Sequence, residues 1–358
     1  MRLSVHLVSW NGKKYIPYLF DSLRKQTYTD WQLCIWDNGS EDETVDAITR
    51  ELQTCDVPYI FFQEKKNIGF AGGHNALYKK TTSEYIVLLN QDMYLEADCL
   101  SRLVQCMDAH GEAGIVSPRL MRWNFQAVEE GRLEESFTDV IDTLGLRVLR
   151  NRRVIEQYAQ ERWAEESLHT DVAALYHTKE LRVFGVSGAL PMCRKSAIDS
   201  IAFEEDGTFL DASYHSYKED VDLAFRLRAA GFDSYTVLDA VAYHDRSAAG
   251  PRILSDAVAI KNKKQQSAWV QYHSYKNHLM TLYKNEYIWN VLRDGLWIIW
   301  YEAKKFFYFV LFDRTVLWKT IREIWTLRKG LKKKRANITS KRSLSATQMR
   351  IFWTKKQI

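Results

Sequence analysis

The amino-acid sequence predicts an α/β protein, an open and mostly parallel sheet over residues 1–254 followed by an amphipathic helical extension. Three observations carry this expectation. Short β-rich runs alternate with helical segments from residue 3 onward. Polar clusters fall where those runs end, at Asp37, at the Gly69–Gly73 loop and at Asp92, which is where open α/β sheets bind ligands. From about residue 255 the composition turns helical, aromatic and basic.

Taken in order, residues 3–9 (LSVHLVS) form the first strand, closed by an Asn11-Gly12 turn. Residues 15–26 read as an amphipathic helix with Tyr15, Leu19 and Leu23 on one face. A second strand, 31–36, ends in Asp37-Asn38-Gly39-Ser40, and Glu41, Asp42 and Glu43 open the next helix. Asp37 can accept from a base N–H or a ribose hydroxyl, or it can close an Asx-type turn. YIFFQ is the third strand and leads into NIGFAGGHNAL, a Gly-rich loop turning into a helix. This loop fits neither a dinucleotide fingerprint nor a P-loop, and its glycines can also serve a tight turn. YIVLLN is the fourth strand, ending in Gln91-Asp92. A carboxylate there, after a buried strand, is either paired or ligates a cation such as magnesium or manganese together with phosphate oxygens. Residues 118–182 mix short apolar runs with charges and read as irregular structure joining two halves.

The densest chemistry lies in YHSYKEDVDLAFRLRAAGF, residues 214–232. Glu219, Asp220 and Asp222 sit at the first turn of a helix on which Leu223, Leu227 and Ala230 share a face. Arg226 and Arg228 point elsewhere, and Gly231 closes the run as a C′ residue. The helix N-terminus favours an ionised carboxylate, which makes a general base if it faces a cleft. Ordinary capping is the plain alternative.

A chain of 358 residues with 46% hydrophobic composition can bury a sizeable core, as one large domain with an appendage or as two domains. Five cysteines without a C-x-x-C pair point to a reduced, cytosolic chain with no structural zinc. MRLSVHLVSW enters a strand directly, so no signal peptide is expected. The net charge of +5 is uneven, with no Asp or Glu from Arg328 onward. Such a stretch suits anionic lipid heads or nucleic acid, or is a solvated tail. Residues 287–327 carry Trp289, Trp297, Trp300, Phe306, Phe309, Trp318 and Trp325 among charges. Arg293, Asp294, Glu302, Lys304 and Lys305 interrupt any run approaching the ~20 apolar residues that span a bilayer. Residues 255–330 therefore read as an amphipathic helical pair on a membrane surface, with Lys332–Arg335 on anionic lipid heads and 331–358 as a basic tail. The alternative is a helical hairpin packed on the first domain or on a partner subunit.

The segments VSWNGKKYIPYLFDSLRKQTYTDWQLCIWDNGSEDET, NIGFAGGHNAL, LLNQDMYL, FGVSGALPMCRKSA and KEDVDLAFRLRAAGF…AVAYHDR occur in one order over most of residues 1–250. In this the chain resembles inverting glycosyltransferases of family 2, with the GT-A fold. NIGFAGG and VIDTLGL (140–146) look like the rhamnosyltransferase-like branch that builds bacterial surface polysaccharides. The resemblance implies transfer of a sugar, first L-rhamnose from dTDP-rhamnose and otherwise a UDP-hexose, to a hydroxyl of a growing, lipid-linked glycan. It implies Mn²⁺ or Mg²⁺, a place on the cytoplasmic face of the cell membrane, and no nucleic-acid partner.

Carried over residue by residue, Asp37 resembles the acid that recognises the nucleotide base, with Ser9, Asn11, Asn38, Gly69, Gly72, Asn75, Asn90 and Gln91 on the donor. Asn90-Gln91-Asp92 matches the metal-binding D-x-D position with its first acid replaced by Asn90, so Asp92 is the metal ligand. His244 resembles a further metal or diphosphate ligand; its alternative is a satisfied histidine at a strand end. Asp220 matches the catalytic base of the Glu-Asp motif, with Glu219 as its support, and Gly188 and Asp222 lie by the donor sugar and acceptor.

Four rival readings fit the sequence less well, of which a non-catalytic membrane-surface scaffold and a nucleotidyltransferase stay as alternatives. A processive synthase would need spanning helices and a downstream Gln-x-x-Arg-Trp motif, and QERW at 160–163 has the wrong spacing. A nucleotidyltransferase would need a phosphate-gripping N-terminal loop that VSWNGKKYI matches poorly. A membrane-bound scaffold needs neither Asp92 nor Asp220, and both are present. A nucleic-acid binder would have only a terminal basic stretch to offer.

Overall fold

A computed structural model describes residues 1–166, 170–246 and 266–354, without the side chains of residues 170 and 354. The expected boundary at 254/255 lies outside the described residues. The strands are β1 (Leu3–Ser9), β2 (Trp31–Asp37), β3 (Tyr59–Gln63), β4 (Tyr85–Leu89), β5 (Met93–Leu95), β6 (Ala113–Trp123), β7 (Phe137–Thr143), β8 (Leu146–Leu149), β9 (Val154–Glu156), β10 (Glu180–Val183), β11 (Met192–Arg194), β12 (Asp233–His244) and β13 (Trp353–Thr354). The helices are α1 (Ile16–Arg24), α2 (Thr44–Leu52), α3 (Gly69–Tyr78), α4 (Cys99–Ala109), α5 (Phe125–Glu129), α6 (Leu133–Ser136), α7 (Thr170–Leu175), α8 (Lys195–Ile201), α9 (Glu219–Ala229), α10 (Ala268–Asn285), α11 (Ile288–Phe312), α12 (Arg314–Ser340) and α13 (Ala346–Met349).

A large mixed sheet runs β10-β12-β6-β11-β4-β1-β2-β3, with β5 on β12 and β7 on β6. The half β3-β2-β1-β4 is parallel, as expected. Its central strands are buried on both faces, because βαβ crossovers cover each face with helices; every residue of YIVLL in β4 is buried. Ser9 pairs with Asp37 at the carboxyl ends of β1 and β2. The polar residues that follow β1, β2 and β4 thus emerge along one sheet edge.

Residues 118–182 are not irregular. β6 is a buried eleven-residue strand that pairs in parallel with β12, and β7 pairs antiparallel with β6. Arg119 and Arg122 hid it from a reading based on apolar runs. Arg119 donates to the Leu238 carbonyl and Arg122 pairs with Asp142, so both charges are satisfied inside the fold. A small sheet, β13-β8-β9, joins the chain's C-terminal end to the same region.

The C-terminal helices are built onto the α/β unit. α12 continues unbroken to Ser340, across the boundary expected after residue 330, and Leu331 is buried within it. The stretch expected as a basic tail is therefore folded onto the core. Lys334 reaches Asp211 at 2.5 Å, Arg342 donates to the Asn285 carbonyl, and Ser343 N–H bonds the Ala229 carbonyl at the end of α9. These partners, the Asp211 carboxylate and the carbonyls of Asn285 and Ala229, lie far back in the sequence, which is why the stretch reads as unpaired. At the base of α11, Asp294 is fully buried among Arg150, Arg152 and Arg350, and Arg152 also meets Glu286 at 2.6 Å. The helices divide between packed and exposed faces. α10 packs on the α/β unit, while α11 and α12 turn Leu296 (85% exposed), Trp289 (72%), Trp318 and Trp325 outward.

Candidate active site

A cavity of ≈ 700 Å³ opens at the carboxyl edge of the sheet, and Asn38, Asn90, Gln91, Asp92, Gly188, Glu219, Asp220 and His244 all line it. These residues come from five separated segments, and the sheet topology is what gathers them. Asp220 lies in the first turn of α9, as the sequence predicts, with Gly231 at φ +96° after the helix. Two backbone N–H groups orient its carboxylate: Gly188 donates to Oδ2 at 3.3 Å and Val221 to Oδ1 at 2.7 Å. A Cβ at Gly188 would meet Asp220 Cβ at 3.4 Å, ordinary van der Waals contact, so the two residues lie side by side in the cavity wall.

Glu219 is different. It is buried, and its Oε1 has no hydrogen-bond partner among the described residues. Burial first, then the neighbouring charges of Asp220 and Asp222, push its carboxyl up to about 8. Adjacent acids in unlike environments divide their roles; here Glu219 stays protonated near neutrality. The folded state therefore keeps a proton that the unfolded chain loses above the ordinary value of 4.5, so stability falls as pH rises from there to about 8. Glu219→Gln removes this loss. The variant's advantage in urea unfolding grows across that window, by on the order of a few kcal/mol. Parallel stability curves for parent and variant would place the proton elsewhere.

Across the cavity His244 Nε2 stands 3.5 Å from Asp92 Oδ2, and its Nδ1 bonds Asp142 Oδ2 at 2.9 Å. Burial opposes the imidazolium, but Asp92 and Asp142 outweigh it and raise His244 to about 9. Asp142 is in turn held by Arg122 at 3.1 Å. A carboxylate fixing one ring nitrogen while the other faces a second carboxylate is the arrangement that orients a metal-binding histidine. Asp92, His244 and the neighbouring Asn90 amide thus fit a divalent cation, with the His244 proton replaced on binding. Among the described residues, Cys106, His110 and Glu180 also come close enough to hold a metal. They lie outside this cavity, and burial pushes the Cys106 thiol up, away from the thiolate a metal needs.

Several residues expected at the donor or acceptor do not line this cavity. Asp222 does not face the cavity: it is buried against Arg226 (2.9 Å), Lys284 (2.9 Å) and Asn285 (2.8 Å). Two positions of rotation along α9 separate it from Asp220. Asn75 is also buried, and its amide makes a two-way pair with the backbone of Leu210. Gly72 packs on Ile68. Gly69, at φ +81°, permits a close approach, since a Cβ there would lie 2.4 Å from the His215 carbonyl oxygen. Asp37 realises its turn alternative, accepting from Gly39 N, Ser40 N, Ser40 Oγ and Ser9 Oγ. Asn11 Oδ1 accepts from Glu41 N. These residues shape the loops around the donor half without lining the cavity. Gln91 does both, because its amide pairs with the backbone of Trp10.

The sequence reading missed Asp142, Lys218, Arg246, Arg147 and Arg153, which contribute to the cavity or brace it. Asp142 and Arg246 lay within segments already singled out for their family likeness. Trp269, from α10, also lines the cavity, and nothing in its sequence context signals this.

Comparison with known proteins bears on the family and the fold. Residues 4–165 match the model of glycosyl transferase family 2. A chondroitin synthase of Escherichia coli is 30% identical over 106 residues, covering 30% of this chain and 15% of that protein. The poly(ribitol-phosphate) β-N-acetylglucosaminyltransferase TarS of Staphylococcus aureus is 23% identical over 241 residues, covering 64% of this chain and 40% of TarS. The chain thus spans well under two thirds of these relatives. Among solved structures, GalNAc-T7 with UDP, GalNAc and Mn²⁺ superposes with a TM-score of 0.55 at 11% identity, over 79% of this chain and 48% of that one. The mannosyltransferase PcManGT of Pyrobaculum calidifontis with GDP-Man and Mn²⁺ gives 0.50 at 15% identity, over 95% and 85%. The fold is the GT-A fold with a C-terminal helical extension.

Proposed function

We propose that this chain, which carries a family 2 glycosyl transferase domain over residues 4–165, is an inverting glycosyltransferase with Asp220 as its base. One observation carries the reading: Asp220, oriented by two backbone N–H groups, faces the same cavity as the Asp92–His244 pair. An acceptor hydroxyl gives its proton to Asp220 as its oxygen bonds to the anomeric carbon. The bond to the nucleoside diphosphate breaks on the opposite side, and configuration inverts. Asp92 and His244, with Asn90, would hold a Mn²⁺ or Mg²⁺ ion, which when bound offsets charge on the departing diphosphate. Arg147, Arg153, Lys218 and Arg246 add positive charge around the cavity, which suits a diphosphate.

The donor is read as dTDP-L-rhamnose on the likeness of NIGFAGG and VIDTLGL, with UDP-hexoses as the alternative; the two superposed structures hold UDP with GalNAc and GDP-Man. Thermal shift against a panel of dTDP-, UDP- and GDP-sugars, with and without Mn²⁺, tests this. A metal-dependent rise with one sugar nucleotide names the donor. No rise with any of them sinks the reading.

The acceptor is read as a lipid-linked glycan, with the enzyme on the cytoplasmic membrane face. No described helix is long and apolar enough to cross a membrane. The support is the outward face of α11 and α12, where Leu292, Leu296, Trp300 and Trp325 are mostly exposed beside the exposed Arg293, Lys319, Arg322 and Arg328. Apolar and aromatic groups set among cations suit an anionic bilayer surface. Binding to phosphatidylglycerol-rich vesicles should fall about 100-fold or more in Leu296→Glu/Trp300→Glu, since each of the two apolar anchors contributes about 1.5–3 kcal/mol. Unchanged binding in that variant overturns the membrane placement.

A further inference from the structure

The loop that leads into Asp220 is strained. His215, Tyr217 and Lys218 have φ of 65°, 71° and 74°, a region that residues other than glycine rarely adopt. Lys218 is also the N-cap of α9, with no side-chain cap bond, and the loop's own bonds, Ser216 N–H to the Tyr214 carbonyl at 2.8 Å and His215 N–H to the Ala212 carbonyl at 3.3 Å, lie before it. One side is closed by Gly69, whose missing Cβ admits the His215 carbonyl. The other side is closed by α10. Lys276 Nζ donates to the Ser213 carbonyl at 2.9 Å, and His273 Nδ1 to that of Tyr214 at 3.2 Å. Asn277 Nδ2 lies 3.1, 2.9 and 2.7 Å from the carbonyl oxygens of Tyr214, Ser216 and Tyr217. Residues 273, 276 and 277 share one helix face by their i, i+3, i+4 spacing.

The Asn277 amide is committed to this task. Its Oδ1 is buried without a partner among the described residues, and turning the amide over would set that oxygen against the carbonyls. Buried polar atoms are seldom left unpaired, so the donor end governs the placement. We propose that Asn277 is the positioning residue for Asp220: it fixes the strained 214–218 backbone and thereby the direction in which the base carboxylate faces the acceptor. α10 would then complete the catalytic site. This inference rests on Asp220 as the base.

Asn277→Leu keeps the volume and removes the donors. Its kcat should fall about 100-fold, the loss expected from a misplacement near 1 Å, with donor KM and donor-induced thermal shift unchanged. Amides of residues 213–220 should exchange hydrogen faster than in the parent. Thr281→Val serves as the comparison. It removes the 2.8 Å bond to Tyr214 Oη from the same helix, and should lower the melting temperature while keeping most of kcat. Retained kcat in Asn277→Leu, or kcat falling in both variants in proportion to melting temperature, overturns the proposal in favour of a structural role. Should the parent protein turn over no sugar nucleotide, the transferase reading fails on its own, and unchanged exchange in Asn277→Leu would still overturn the clamp.

Discussion

Asp220→Asn is expected to lower kcat by about 10²–10⁴-fold and to leave donor affinity unchanged. The amide has nearly the shape of the carboxylate and keeps one acceptor oxygen for the Val221 N–H at 2.7 Å, while the Gly188 N–H at 3.3 Å loses its acceptor. It cannot take a proton from an attacking hydroxyl. The loss should therefore fall on the chemical step, visible as slow single-turnover transfer at saturating donor, while the thermal shift with sugar nucleotide and Mn²⁺ persists. Donor affinity is spared because Asn90, Asp92 and His244 come from other segments of the cavity wall. The paired variant Glu219→Gln discriminates between the two acids. Glu219 is protonated near neutrality and is buried, so it should tolerate the amide with little loss of rate. Loss in Glu219→Gln with full rate in Asp220→Asn would move the base by one residue.

How far the sequence discloses this site depends on the range of each interaction. The parallel half of the sheet is legible because its signals are local: apolar runs of strand length, each followed by polar turn residues. The first turn of α9 and its closing Gly231 are legible for the same reason. Facing is less so. Asp220 and Asp222 are separated by one residue in a run of acids, and only packing shows that Asp222 turns toward Lys284 and Arg226. Arg226 and Arg228 do point away from the Leu223 face, but only packing shows that both are buried. The residues missed altogether are those whose partners are distant in the chain. Asp142 braces His244 from 102 residues away, and Asn277 of α10 reaches the Tyr214 carbonyl across 63 residues that include the undescribed 247–265. No spacing rule connects such pairs; they are products of the tertiary fold.

Lys284→Met should destabilise the protein by about 3–5 kcal/mol, the cost of breaking a buried ion pair. Lys284 is fully buried between Asp211 Oδ2 at 2.6 Å and Asp222 Oδ1 at 2.9 Å. Methionine fills the space but leaves both carboxylates short of a cation. Arg226 still reaches Asp222 and Lys334 still reaches Asp211, so the loss is bounded and the fold should survive at low temperature. Burial works against both ionised carboxylates, but Lys284, with Lys334 at Asp211 and Arg226 at Asp222, outweighs it and holds them below the ordinary carboxylate value of 3.8. A depressed carboxylate contributes stability above its unfolded value and loses it as pH falls toward the folded one. The gap between parent and Lys284→Met in urea unfolding should therefore be full near neutrality and shrink on acidification below about pH 4. A gap that stays constant with pH would mean that Lys284 acts through packing on Phe203 and Tyr214, over whose rings its ammonium also lies. The ionic outcome bears on catalysis as well, because Asp222 belongs to the helix turn that carries Asp220 and Lys284 to the helix that carries Asn277. The pair ties α9 to α10 beside the Asn285–Asp222 bond at 2.8 Å, so its loss should also weaken the proposed clamp on the 214–218 loop, read as a fall in kcat for Lys284→Met at temperatures where it stays folded.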